Sequence, residues 1–186
     1  NECFSINPSY KNVASMNWLA TGKFVAKRMS NAIVIDLGST TTDFIFIRKN
    51  QIINKGFSDF KRILFSELIY TGFTRTPLFG IANKLNFNKK DYFVLPENFA
   101  NVADVYRVLK KASSKIDLFD TMDGRSKSFL NSCRRVARNF GFDYQNDKRK
   151  LVLNLCKEIE KVQFGSIVDS VRHKLRKYKV SKKEIS

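Results

Sequence analysis

The sequence is poor in the residues that build covalent or metal-stapled folds. It has three cysteines (Cys3, Cys133 and Cys156), one histidine (His173), one tryptophan, three prolines and eight glycines in 186 residues. An odd number of widely spaced cysteines without a CxxC excludes a disulfide scaffold and a zinc finger, and a single histidine leaves no His-based triad or metal cluster. Such cysteine usage points to a reduced, cytoplasmic setting. So little glycine and proline excludes collagen-like and Pro-rich classes. No apolar run approaches the roughly 18 residues of a membrane span; the longest, 32–35 and 44–47, are strand-sized. The opening Asn1-Glu2-Cys3-Phe4 has neither an initiator Met nor a signal-peptide pattern and reads as a processing point or a truncation.

Acidic residues are also scarce. Lys and Arg number 34 against 17 Asp and Glu, a net charge of +17. The excess is spread along the chain, and the stretch 172–186 alone carries seven basic residues and one acidic. A basic balance of this size is the footprint of a polyanion binder. A basic tail, however, is more often a solvated helix end, and the aromatic residues are not interleaved with the basic ones as in a stacking platform. Nucleic acid is therefore the runner-up class of partner, and a non-catalytic nucleic-acid-binding module the runner-up function. His173, within the tail, is expected to be solvated.

Apolar spacing predicts a helix over 11–29, and the continuous run 32–35 predicts a strand buried on both faces. After the turn Gly38-Ser39-Thr40-Thr41, strands are predicted over 42–47 and 51–54, joined at 48–50. Asp59 is a predicted N-cap for a helix over 60–70 whose Ile63, Leu64, Leu68 and Ile69 line one face. An irregular stretch over 71–80, a strand over 92–95 and a helix over 98–111 follow, then a turn at Asp123-Gly124 and helices over 127–139, 148–162 and 167–178. Cys133 and Cys156 fall on helices and are expected to be packed. The chain thus changes from a β-rich part (1–97) to a helical part (98–186), with no linker long enough to separate independent domains. The predicted class is α/β.

One segment carries chemistry. In Ile33-Val34-Ile35-Asp36-Leu37-Gly38-Ser39-Thr40-Thr41-Thr42-Asp43, a strand delivers Asp36 to a tight turn rich in hydroxyls and backbone N–H donors. Successive N–H groups in a turn form an anion-binding concavity, and a neighbouring carboxylate can hold Mg²⁺ through water. The alternative is a Ser/Thr-rich β-turn in which Asp36 caps backbone. Downstream, Arg75 in Thr71-Gly72-Phe73-Thr74-Arg75 can clamp a phosphate bidentately. The alternative there is a surface arginine satisfying loop carbonyls. Arg62 and Glu67, five apart, do not share a helix face well.

The run "IDLGSTTTDF" (35–44) resembles the phosphate-binding turn of the sugar kinase, actin and chaperone ATPase superfamily. Within it the chain is similar to the hydantoinase A/oxoprolinase family. The stretches "NWLATGKFVAKRM" (17–29), "SDFKRILFSELIYTGFTRTPL" (58–78), "ENFANVADVYRVL" (97–109), "TMDGRSKS" (121–128) and "SCRRVARNFGFD" (132–143), in this order, narrow the likeness to members linked to one-carbon cofactor metabolism. The resemblance covers roughly 13–170. It implies a ribonuclease H-like lobe with a helical C-terminal portion, and one partial family domain over 1–186. It also implies a Mg²⁺-dependent transferase of methanofuran-type cofactor biosynthesis, joining an aminomethylfuran diphosphate to a glutamyl-tyramine unit. An amide- or lactam-hydrolysing member of the family is the alternative.

By the same resemblance Asp36 and Asp43 would organise Mg²⁺. Gly38, Ser39, Thr40, Thr41, Thr42, Thr71 and Gly72 would hold the phosphates of a diphosphate substrate or of ATP. Asp59, Glu67 and Arg75 would be the catalytic side chains. Asp104 and Tyr106 match a family motif, with Tyr106 also fitting a core stripe. Asp123-Gly124-Arg125 reads chiefly as a turn. The sequence departs from the family in having one Asp-x-Gly turn of this kind and no Gly-Gly adenosine signature. Ser66 stands where the family has Gly, and Asn101 where a small hydroxyl or Met is common. The expected partners are a phosphorylated small molecule and either a missing N-terminal lobe or a second copy of the chain. No membrane is expected.

Overall fold

A computed structural model describes residues 16–113 and 115–178. The chain divides into two compact units, Asn1–Ile69 with Ile167–Ser186, and Tyr70–Ser166. This division falls elsewhere than the change from strand to helix near residue 97. Both units mix helix with strand, as an α/β class requires.

The first unit holds α1 (Asn17–Ala26), β1 (Asn31–Leu37), β2 (Thr42–Arg48), β3 (Gln51–Ile52), α2 (Asp59–Leu64) and β4 (Leu68–Ile69). Of the predicted helix over 11–29, residues 11–15 lie outside the described residues. β2 is the centre of an antiparallel sheet. It pairs with β1 from Asn31↔Arg48 to Leu37↔Thr42, with β3 at Ile47↔Ile52, and with β4 at Thr42↔Ile69. Its side chains alternate between two cores. Ile45 and Ile47 pack with Trp18, Leu19 and Ala26 of α1. Phe44 and Phe46 pack with Ile167, Val171 and Tyr178 from the end of the C-terminal helix. A strand covered on both faces reads as a continuous apolar run, and that strand is β2. The expectation of two-sided burial for 32–35 is corrected: none of these four residues is fully buried, and Ile35 is 48% exposed.

Two further boundaries differ for local reasons. The strand expected to reach residue 54 stops at Ile52, because the Asn54 side chain takes over. Its Nδ2 donates to Phe44 O and its Oδ1 accepts from Phe46 N, both at 2.8 Å, so a carboxamide replaces two ladder bonds. The helix expected over 60–70 ends at Leu64. Its N-cap is Ser58, whose hydroxyl accepts from Lys61 N, and Asp59 is its first residue. Ser66 adopts φ +53°, which halts the helix and turns the chain into β4. Leu68 and Ile69 are thus strand residues, while Ile63 and Leu64 are exposed.

The second unit holds the hairpin β5 (Lys84–Phe87) and β6 (Lys90–Phe93), then α3 (Val102–Val108), α4 (Phe129–Asn139) and the start of α5 (Arg149–Lys177). The strand expected over 92–95 lies two residues earlier, as β6; β5 carries no Asn-Gly signal, since its turn is Asn88-Lys89, both at positive φ. α3 begins four residues later than expected because Asn101 and Asp104 form a capping box. α5 is one helix where two were expected: Gly165, exposed and open on its Cβ side, does not break it. The core packs Leu78, Leu85, Val105 and Val108 with Cys133, Val136, Val152, Leu155, Cys156 and Ile159. Both cysteines are buried as expected, and burial raises the Cys133 thiol to about 11. Among the described residues no helix is long and apolar enough to cross a membrane.

Ser66 offers a direct test. A left-handed residue with a Cβ costs about 1–2 kcal/mol, and glycine returns about 0.4–1 kcal/mol of that as unfolded-state entropy. Ser66→Gly should raise unfolding stability by about 0.5–1 kcal/mol in urea titration.

Candidate functional site

The Gly38–Thr41 turn closes the β1–β2 hairpin, with Gly38 N donating to Thr41 O at 2.9 Å. A Cβ on Gly38 would sit 3.3 Å from that same oxygen, so the turn is tight without a positive φ. Ser39 Oγ and Thr40 Oγ1 lie 3.5 Å apart on its exposed rim. Thr42, the first residue of β2, is fully buried.

Asp36 and Asp43 are direct cross-strand partners beside this turn. Directly opposed residues share a face, and here it is the α1 face, where Arg62 also lies. Arg62 Nη1 donates to Asp43 Oδ1 at 2.5 Å, its Nη2 donates to Glu67 O at 3.0 Å, and the guanidinium stacks 4.1 Å from the Trp18 ring centre. It is 1% exposed. A Cβ on Gly56 would fall 2.6 Å from Arg62 N, so glycine there lets the α2 backbone approach. Burial raises the Asp43 carboxyl. The Arg62 hydrogen bond and charge oppose this, and the negative fields of Asp36 and Asp59 add to the rise. Asp36 and Asp59 thus lie near enough to Asp43 for their charges to act on it.

Glu67 lies outside the helix and is fully buried. Oε1 accepts from Lys55 N at 2.9 Å, Lys174 Nζ at 3.0 Å and Tyr178 OH at 2.8 Å, and Oε2 accepts from Gly56 N at 2.9 Å. Burial pushes this carboxyl up; the two backbone N–H groups, then Lys174 and Tyr178, outweigh it and hold it below the ordinary value. Burial likewise lowers the Lys174 ammonium, which Glu67 partly restores. Lys174, in the tail expected to be solvated, is thus 0% exposed, a correction to that expectation. His173 beside it is exposed, as expected. The spacing Ile167, Val171, Lys174, Tyr178 was the available signal: a lysine inside an apolar helical stripe needs a buried partner. Arg62 carried no comparable signal.

Thr71, Gly72 and Arg75 belong to the second unit. Gln163 Nε2 donates to Thr71 Oγ1 and to Gly72 O, both at 2.8 Å, and Tyr106 OH donates to Gln163 Oε1 at 2.8 Å. Tyr106 is buried, as its place in the core stripe implied, and its hydroxyl is raised to about 12 by burial and the Glu160 charge. Arg75 is exposed, with its guanidinium 4.4 Å from the Phe119 ring centre. Asp104 is a buried clamp: Oδ1 accepts from Arg107 and Arg135, both at 2.7 Å, and Oδ2 caps α3. Asp123-Gly124 is a turn, with Gly124 at φ +65°.

No group of three or more His, Cys, Asp or Glu side chains among the described residues can hold a metal by itself. The Asp36–Asp43 pair instead fits Mg²⁺ held by one or two carboxylates, with water and phosphate oxygens completing the shell. Burial is the main cause of the rise of the Asp43 carboxyl, and the negative field of Asp36 across the strand pair adds to it.

Removing one partner of a buried ion pair costs about 3–5 kcal/mol. Glu67→Gln should lower stability by about 3 kcal/mol in denaturant unfolding. A carboxyl held below its unfolded value of 4.5 stabilises fully above that pH and loses its contribution as pH falls through the folded value. Thermal stability should therefore decline below about pH 4.5, and the decline should be shallower in Glu67→Gln.

The profile of the hydantoinase/oxoprolinase family matches residues 6–186. The chain is 37% identical over 131 residues to a (4-{4-[2-(gamma-L-glutamylamino)ethyl]phenoxymethyl}furan-2-yl)methanamine synthase of Methanocaldococcus jannaschii, covering 70% of this chain and 39% of that protein. It is 31% identical over 157 residues to the synthase of the same name from Methanococcus vannielii, covering 84% and 70% respectively. With a match spanning nearly its whole length, the chain belongs to the hydantoinase/oxoprolinase family.

Proposed function

We propose that the chain is part or all of a Mg²⁺-dependent transferase of methanofuran-type cofactor biosynthesis. The similarity to two synthases whose name specifies a phenoxymethyl ether on a furan methanamine carries this reading. Such an ether forms when the phenol oxygen of a glutamyl-tyramine unit attacks the furanylmethyl carbon of an aminomethylfuran diphosphate. The new C–O bond forms as the C–O bond to diphosphate breaks; the phenolic proton passes to water and diphosphate departs.

In this reading Gly38, Ser39, Thr40 and Thr41 hold the departing phosphates, through backbone N–H and hydroxyl groups, while Thr42, fully buried, is left supporting the turn from beneath and not touching phosphate as the resemblance implied. Asp36 and Asp43 face each other where a cation would meet those phosphates, and Arg62 fixes the Asp43 rotamer. A bound Mg²⁺ would neutralise charge on the leaving diphosphate. Asp59 adds negative field, while Glu67, saturated by donors, positions the Lys55–Gly56 backbone. The family resemblance alone assigns Thr71, Gly72 and Arg75 to phosphate as well. ATP is the alternative occupant of the turn. A ribonuclease H-like lobe, a second lobe supplied by further polypeptide or by another copy, and a cytoplasmic setting belong to the same reading.

Calorimetry with Mg-diphosphate and Mg-ATP tests it. Saturable, EDTA-sensitive binding should weaken at least tenfold in Asp36→Ala, as expected for one lost charged contact of about 1.5–3 kcal/mol. Binding indifferent to Asp36 would remove the phosphate turn from the mechanism. Incubation with both substrates should yield the joined ether and free diphosphate; a ring-opened amide would instead assign the hydrolase chemistry.

A further inference from the structure

A second cluster of positive charge lies in the second unit and shares no residue with the site assigned above. α4 carries Arg134 and Arg138 four residues apart, hence on one helix face. Arg125 approaches from the loop before the helix. Gly141, at φ +76°, turns the chain so that Asp143 and Tyr144 return beside them. Together with Asp123 these residues line a cleft of about 340 Å³.

Two of the arginines, Arg134 and Arg138, are steered by neighbours without being neutralised. Arg138 lies 5.6 Å from the Phe99 ring centre, and Arg134 Nη1 donates to Asn131 Oδ1 at 3.1 Å. Neither they nor Arg125 form an ion pair with a carboxylate among the described residues. Asp123 is already committed, accepting from Arg135 Nη1 at 2.8 Å and from Arg125 N at 3.1 Å. Asp143 is then the one carboxylate set against three guanidinium groups in the lining. Arg135 itself faces inward, 1% exposed and bound to Asp104, so the helix that presents Arg134 and Arg138 is anchored by a buried ion pair. Three exposed guanidinium groups without a carboxylate partner around a cleft of this volume match an anion carrying two or more negative charges, which guanidinium binds bidentately.

We propose that this cleft binds a phosphate- or diphosphate-bearing small molecule, independently of Mg²⁺ and of the Gly38–Thr41 turn. The site stands on its own residues and does not require the transferase reading.

Inorganic diphosphate titrated into the whole chain in EDTA is the probe. Saturable binding should weaken about tenfold in Arg138→Gln and about a hundredfold in the Arg134→Gln/Arg138→Gln double variant, one charged contact being worth about tenfold or more. Asp143→Asn should tighten it severalfold by removing the opposing charge, an effect that a merely structural role would not produce. Asp36→Ala and the surface control Lys157→Gln should leave it unchanged. Circular dichroism establishes that each variant is folded. The proposal is overturned if the folded chain takes up no diphosphate at millimolar concentration, or if Lys157→Gln costs as much as Arg138→Gln. It is equally overturned if binding requires Mg²⁺ and Asp36, or if a single-stranded RNA binds at the arginines and diphosphate does not displace it. EDTA-sensitive binding that is unchanged in Asp36→Ala, with the arginine site intact, would count against the phosphate turn alone.

Discussion

Buried positive charge is the constraint on which the rest of this structure depends. A chain with twice as many basic as acidic residues can bury a cation only where a carboxylate waits within hydrogen-bond distance, because an unpaired charge in the interior costs several kcal/mol or more. Among the described residues four cations are buried, and each has such a carboxylate. Arg62 meets Asp43, Lys174 meets Glu67, and Arg107 and Arg135 share Asp104. Acids are spent where burial demands them, which leaves exposed arginines such as Arg125, Arg134 and Arg138 without carboxylate partners among the described residues.

In the first unit these pairs also place the candidate chemistry. Glu67 joins the Lys55–Gly56 backbone to the end of α5, and its own main-chain oxygen receives Arg62. Arg62 then reaches past Trp18 to Asp43, one of the two carboxylates beside the Gly38–Thr41 turn. A change at Glu67 would thus be felt at Asp43 through a chain of hydrogen bonds without any contact to a ligand. The positions that hold the turn and those that would touch phosphate are different residues, and activity loss alone would not tell them apart.

The second unit follows the same logic with other partners. Asp104 caps α3 and clamps two arginines, so α3 can be buried all round although it contains Asp104 and Arg107. Tyr106 and Gln163 tie the Thr71–Gly72 backbone to α5. The loop holding the predicted phosphate contacts is therefore set by a buried polar network, whose members specify position because each is satisfied.

Much was legible in the sequence. Apolar periodicity marked α1, β2 and the helices after residue 97, and the Asp36–Asp43 stretch singled out the turn that the fold builds as a tight hairpin. The stretches from 17 to 143 pointed to the family that the match over 6–186 establishes. These are local properties: strand and helix periods, turn residues and short motifs act over a few neighbours. Other features were decided only by residues brought together from afar. The Asn54 carboxamide ends β3 by bonding β2, and Ser66 ends α2 where β4 must meet β2. Lys174 is buried because Glu67, 107 residues earlier, lies opposite. Whether a charged side chain is solvated or enclosed depends on what packs over it, and a one-dimensional pattern carries no distance between residues so far apart.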